Sequence, residues 1–233
     1  MNQIEHIVEP ERLLLVWRSP QSPRTRRVVA EVRPSTESTR AVLRYLSDTT
    51  EYASAKQEGF SGYPAFPPTQ TEHSSNVLES FLRRLPPRKR DDFTEYLERH
   101  RLPTTGRLTD MALLGYTNAK LPSDGFEIYA DLSNARPPFE VVIEVAGFRH
   151  QSLVTADDMY IGDPIVFKAE PDNVHDSNAI AIFYNSSRIG YVDRAQTSAF
   201  QTWMRRGYSL NATVERINGK ADRPLIYVYV AVR

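Results

Sequence analysis

"KAEPDNVHDSNAIAIFYNSSRIGYVDR", residues 168–194, joins a dense polar cluster to an apolar run. It crowds Glu170, Asp172, Asn173, His175, Asp176 and Asn178 ahead of an apolar run, and Gly190, Tyr191 and Val192 follow. A metal reading would use Asp172, His175 and Asp176. Three such residues on one turn match neither a zinc ligand pattern nor a calcium loop, which needs a glycine that is missing here. An acid/base reading would pair Glu170 with Asp176, but nothing in the sequence places those two carboxylates across a cleft. No catalytic or metal residue is therefore assigned, and no cofactor. The plainer reading is a turn built by Pro171, Asn173 and Asn178 that feeds a core strand bearing Ile180 and Ile182.

Outward from this stretch, short apolar or alternating runs recur at 139–146, 164–168, 179–184, 188–192, 209–217 and 225–232. Each has strand character. One helix interrupts them at 194–207, with Ala199, Phe200, Trp203 and Met204 on one face and Gly207 as a stop signal. Several short strands and one main helix in so few residues predict a small barrel or sandwich. "SNARPPFE" (133–140) is the best linker, so the expected domains are 1–135 and 139–233.

The ordered set "VAGFRH" (145–150), "GDPIVFKAEPDNVHDSNAIAIF" (162–183) and "IGYVDR" (189–194) resembles the HIRAN domain. The resemblance implies an OB-like β-barrel that recognises DNA, with a pocket for the 3′ end of a single strand. It implies a stacking aromatic, an acidic reader of the terminal hydroxyl and basic holders of phosphate. Matched position by position, the implied DNA-binding residues are Arg149, His150, Asp172, His175, Asp176, Tyr191 and Arg194. Three depart from the family's usual residues: His150 and His175 replace aromatics, and Asp172 replaces an asparagine. A carboxylate repels phosphate but accepts from a hydroxyl, which an internal nucleotide lacks.

The N-terminal half reads as α+β. A hairpin is expected at 13–17 and 28–32, and a short helix over "STRAVLRYL" (38–46). The aromatic segment "GFSGYPAFPP" (59–68) reads as an ordered, packed loop. A helix follows at 74–85, capped by Ser74 or Ser75 and ended by Pro86 and Pro87. A second helix carries Phe93, Tyr96 and Leu97, and a third starts at Thr109 or Asp110. "GFEIYADL" is a returning strand. The layout of residues 10–132, with Leu85-Pro86 and Leu113-Leu114-Gly115, is similar to the N-terminal subdomain of HipA-type kinases, without a kinase body. That likeness implies an interaction module, for instance an antitoxin-like partner of such a kinase in a toxin–antitoxin pair. Arg83, Arg84, Arg88, Lys89 and Arg90 form a basic run that offers a secondary nucleic-acid contact or a solvated helix end.

Bulk properties bound the rest. The chain has 233 residues, a formal net charge of zero and no cysteine. A basic binding face must therefore be local, and thiolate chemistry is excluded. There is no leader-like N-terminus and no apolar run of membrane-spanning length. The expectation is a non-enzymatic, cytoplasmic protein of bacterial or phage type. Its partner is single-stranded DNA, with a protein partner such as a kinase, toxin or DNA-processing enzyme as the alternative.

Overall fold

In the computed structural model, the described residues are 2–21, 24–35, 41–106, 108–121, 123–150, 154–220 and 222–233. They divide into two compact units. One comprises Val8–His100 and Thr104–Leu132, and the other Met1–Ile7, Arg101–Pro103 and Ser133–Arg233.

The first unit is an antiparallel sheet with helices. Its strands are β1 (Leu13–Arg18), β2 (Arg26–Pro34), β3 (Ala41–Tyr45), β4 (Glu72–His73) and β5 (Phe126–Ala130), in the spatial order β4-β3-β2-β1-β5. Its helices are α1 (Thr50–Gln57), α2 (Val77–Leu82), α3 (Phe93–Arg99) and α4 (Asp110–Thr117). The expected hairpin is present as β1 and β2, and β5 returns to pair with β1. The segment expected to be a helix at 38–46 is instead strand β3 over its described part, Ala41 onward. Ala41, Leu43 and Tyr45 are buried while Arg44 is exposed, a period of two that suits a strand. Tyr45 then fixes the aromatic loop: its hydroxyl donates to the Phe66 carbonyl and accepts from the Tyr63 N–H at 2.9 Å. Phe60, Tyr63 and Phe66 are all buried, as expected of a packed loop. Helix α2 is shorter than expected. Asn76, in a left-handed conformation, precedes it, so neither Ser74 nor Ser75 is the cap. Thr109 does cap α4, accepting from the Ala112 N–H at 3.0 Å.

The second unit holds six antiparallel strands: β6 (Phe139–Glu144), β7 (Pro164–Ala169), β8 (Ile180–Tyr184), β9 (Ser187–Tyr191), β10 (Leu210–Lys220) and β11 (Arg223–Val232). Their order is β6-β11-β10-β7-β8-β9. The two edges meet: Ala146, just beyond β6, exchanges both backbone hydrogen bonds with Tyr191 of β9 at 2.9 Å. The sheet thus curls into a partly open barrel. Gly190 makes this seam possible. A Cβ there would lie 2.5 Å from the Ala146 carbonyl oxygen and 2.6 Å from Val145 Cγ1.

Alternation fills the barrel. Ile226, Val228, Val230 and Val232 of β11 are fully buried, as are Ile180 and Ile182 of β8 and Ile189 of β9. Burying each such side chain contributes about 1.5–3 kcal/mol. Helix α5 (Arg194–Arg205) supplies Phe200 and Trp203; Trp203 packs on Phe139 with centroids 5.1 Å apart, and Phe200 on Phe167 at 4.9 Å. Gly207, at φ 74°, ends α5, with Tyr208 N–H bonded to the Trp203 carbonyl, the geometry of a glycine-stopped helix. No helix among the described residues is long and apolar enough to cross a membrane.

Candidate functional site

The loop between β7 and β8 is built by two nested side-chain turns. Asn173 Oδ1 accepts from the backbone N–H of His175 at 3.0 Å and of Asp176 at 3.2 Å. Asp176 Oδ1 then accepts from Asn178 N–H at 2.9 Å. Asn and Asp favour such turns because their short side chains mimic a backbone carbonyl. Asn173 therefore does what the sequence suggested. Asn178 does not build the turn with its side chain; its carbonyl and Oδ1 both accept from Gln201 of α5, at 3.1 and 3.2 Å. The loop's conformation is fixed at both ends, by Glu170 N–H donating to Ala179 O and by Val192 N–H donating to Ile180 O.

This frame sets Asp176 beside Arg194. Asp176 Oδ2 lies 3.5 Å from Arg194 Nη2, and both side chains are partly exposed. Arg194 opens α5, whose N-terminus is capped by Asp193 accepting from Ala195 N–H at 3.0 Å. Arg194 is held where it is because Asp193 fixes the helix start. The Asp176 carboxylate retains acceptor capacity after these two contacts, since its two oxygens offer about four sites.

Tyr191 stands in a second cluster with residues the sequence reading did not join to it. Its hydroxyl donates to Glu170 Oε2 at 3.2 Å, and Asn173 Nδ2 donates to the same oxygen at 2.8 Å. Arg188 pairs with Glu170 Oε1 at 3.2 Å and lies over the Tyr191 ring at 5.2 Å. Burial alone would push the Glu170 carboxyl up, but hydrogen bonds from Asn173, Arg188 and Tyr191 outweigh it and hold it below its ordinary value. The Tyr191 hydroxyl is pushed up by burial and by the Glu170 charge. Glu170 is thus a brace that ties Asn173, Arg188 and Tyr191 together. The sequence did not show this grouping: the β8–β9 register puts Arg188 and Tyr191 on one face, and Glu170 follows directly after β7.

Arg149 and His150 lie in a single helical turn, Phe148–His150, anchored by buried Phe148 and packed against β9. Both side chains are exposed, and Arg149 Nε donates to His150 Nε2 at 3.1 Å. The Ala146–Tyr191 bridge brings this turn to the strand that carries Tyr191. Asp172 and His175 are exposed on the β7–β8 loop, and His175 enters the turn through its backbone. No group of three or more metal-ligating side chains occurs among the described residues.

Within the basic run of the first unit, Arg84 differs from the other four, which are exposed. Arg84 is buried, paired with Asp124 and donating to the carbonyls of Ala119 at 2.7 Å and Phe126 at 2.8 Å. It is a structural bolt and cannot reach a nucleic-acid backbone. Arg88 pairs with Asp110 at 2.7 Å, and Arg90 with Asp92. Arg83 and Lys89 are exposed.

Two solved structures resemble part of the chain. A crystal structure of a protein from Lactobacillus plantarum is 21% identical and covers 40% of this chain and 92% of its own, with a TM-score of 0.34. The crystal structure of the HIRAN domain of human HLTF is 16% identical and covers 40% of this chain and 74% of its own, with a TM-score of 0.32. No curated protein matches the chain. Residues 138–233 match the family model of the HIRAN domain, and that span holds the barrel strands, the β7–β8 loop and the helix that build this site.

Proposed function

We propose that this chain is a non-enzymatic DNA-binding protein whose second unit receives the 3′ end of a single strand. The HIRAN match over residues 138–233 supports a DNA partner. The observation that carries the finer reading is the Asp176–Arg194 pair, 3.5 Å apart and partly exposed. A cation beside a carboxylate suits a terminal nucleotide: the guanidinium takes a phosphate, and the carboxylate accepts from a terminal hydroxyl. Tyr191 and the Arg149–His150 turn supply the ring and further donors. Base stacking contributes roughly 1–3 kcal/mol per base. The test is fluorescence anisotropy with matched strands ending in 3′-hydroxyl or 3′-phosphate. Preference for the hydroxyl supports the reading; equal binding, or none, sinks end recognition.

A second reading makes the chain a protein-interaction partner of a HipA-type kinase. It rests on the first unit, where a hairpin, short helices and the returning strand β5 follow one another. A pull-down with such a kinase that recovers no complex would remove it.

A further inference from the structure

We infer that the outer face of β7, β8 and β9 is a platform for nucleotides of the bound strand beyond its last three. The inference rests on the DNA-end reading and extends that site across the barrel surface. The register sets Val166 of β7 opposite Phe183 of β8, Lys168 opposite Ala181, and Phe183 opposite Arg188 of β9; Tyr191 also opposes Ala181. Residues two apart on a strand share a face. Val166, Lys168, Phe183, Arg188 and Tyr191 therefore stand on one face around the buried Ala181, and Glu170 follows directly after β7. The opposite face carries Ile165, Ile180, Ile182 and Tyr184, all buried in the barrel.

A cation lies over each of the two outer rings. Lys168 Nζ lies over the Phe183 ring at 4.7 Å, and Arg188 lies over Tyr191 at 5.2 Å. Lys168 is exposed, and Val166 is 52% exposed. An exposed cation–π contact contributes about 0.5–1 kcal/mol, whereas stacking a base contributes roughly 1–3. A base that displaces Lys168 from Phe183 thus gains more than it loses, and the released ammonium is free for the adjoining phosphate. Arg188 is less free because Glu170 holds it at 3.2 Å. Lys168 and Phe183 are therefore the exchanging pair. Tyr191 stands on this face, and Asn173 of the β7–β8 loop links it to Asp176: Asn173 Nδ2 donates to the Tyr191 hydroxyl oxygen at 3.4 Å, and its Oδ1 accepts from the Asp176 N–H at 3.2 Å. Aromatic rings alternating with cations suit a single strand, which offers base faces and phosphates together. Of the exposed large apolar side chains among the described residues, Val166 alone lies on these three strands.

The test compares the full chain with Lys168→Glu and Phe183→Ser, using fluorescein-labelled dT3 and dT10 with free 3′-hydroxyls. Wild type should bind dT10 roughly 5- to 100-fold more tightly than dT3, the range set by one to a few stacked bases. Both variants should lose most of that gain while holding dT3 within about twofold of wild type. For Lys168→Glu the salt slope on dT10 should fall by about 0.7. A length gain that is absent, or unchanged in both variants, overturns the platform and leaves end binding standing. Weak dT3 binding with a Lys168- and Phe183-dependent dT10 complex overturns the end site and leaves the platform standing. No binding of either strand overturns both. Since Phe183 is half-buried, a matching circular dichroism melt is required of Phe183→Ser; Lys168→Glu carries the result if that variant fails to fold.

Discussion

Ala146 and Tyr191 exchange both of their backbone hydrogen bonds at 2.9 Å, and this one bridge joins the first strand of the barrel to the last strand before α5. The relationship ties structure to site. The same residue that closes the seam offers its ring to the outer face, and the turn bearing Arg149 and His150 starts directly after its partner. Any change that opens the seam should alter stability and binding together.

Gly190→Ala is the sharpest such change. Its Cβ would meet a backbone carbonyl at 2.5 Å, which cannot swing away as a side chain can. Forced overpacking costs typically 1–3 kcal/mol, and this case should reach the upper end, about 3 kcal/mol. Urea denaturation should show the midpoint drop, with the m-value also changed if the seam opens in the native state.

The N-terminal segment gives a second prediction. Ile4 is buried, its N–H donates to the Arg101 carbonyl at 2.8 Å, and Tyr229 donates to the Gln3 carbonyl at 2.9 Å. Residues 138–233 alone therefore lack part of their own core. Deleting residues 2–7 should destabilise the barrel unit, and Ile4→Ala alone should cost about 2–5 kcal/mol. A fragment spanning 138–233 that melts as high as the full chain's barrel unit would refute this.

Acid should loosen the same segment. The buried Glu140 carboxylate accepts from the N–H groups of Glu5 and His6, at 3.0 and 2.9 Å, and pairs with Arg233 at 2.5 Å. Burial would raise its pKa, but the hydrogen bonds from His6, Arg233 and Glu5 outweigh it and leave it lowered. A carboxyl lowered in the folded state contributes stability above its unfolded value, about 4.3, and loses it as pH falls through the folded one. Glu140→Gln should be less stable at neutral pH and should show a shallower loss of stability below about pH 5. Melting curves from pH 7 to pH 3 check it.

Arg84 offers a fourth. Its guanidinium serves Asp124, two carbonyls and the Tyr63 ring from one buried position. A lysine cannot spread donors in that planar fork. Arg84→Lys should therefore not rescue Arg84→Ala, and both should lose about 3–5 kcal/mol. DNA affinity of the remaining folded protein should not change. A binding defect without a stability defect would return Arg84 to the nucleic-acid surface.

The barrel was legible in the sequence because its elements are locally periodic. The alternation of β11, the apolar face of α5 and the Gly207 stop all fall within one element. The same local reading misjudged β3, where Val42, Leu43 and Leu46 suggested a helix but pairing with β2 imposed a strand. Arg84 looked like one cation in a run, since only the distant Asp124, Ala119 and Phe126 bury it. Glu170 had no assigned role, since Arg188 and Tyr191 reach it from 18 and 21 residues away. Nothing in "MNQIEHI" announced a segment of the barrel unit, because its partners lie more than 90 residues away.

The last prediction separates the turn-building role of Asp176 from its reading role. Its Oδ1 accepts the Asn178 N–H, while Oδ2 faces Arg194. Asp176→Asn keeps a side-chain carbonyl for the turn and removes the charge, so thermal stability should change little. Asp176→Ala removes the acceptor as well and should cost about 1 kcal/mol. With the charge gone, repulsion of a terminal phosphate falls. The wild-type preference for 3′-hydroxyl over 3′-phosphate should narrow by about fivefold or more in Asp176→Asn, because the removed like-charge contact is worth at least ~1 kcal/mol when partly shielded. Anisotropy titrations of both strand ends against both variants decide it. An unchanged preference in Asp176→Asn would leave the carboxylate as turn scaffolding and move hydroxyl recognition elsewhere on the barrel.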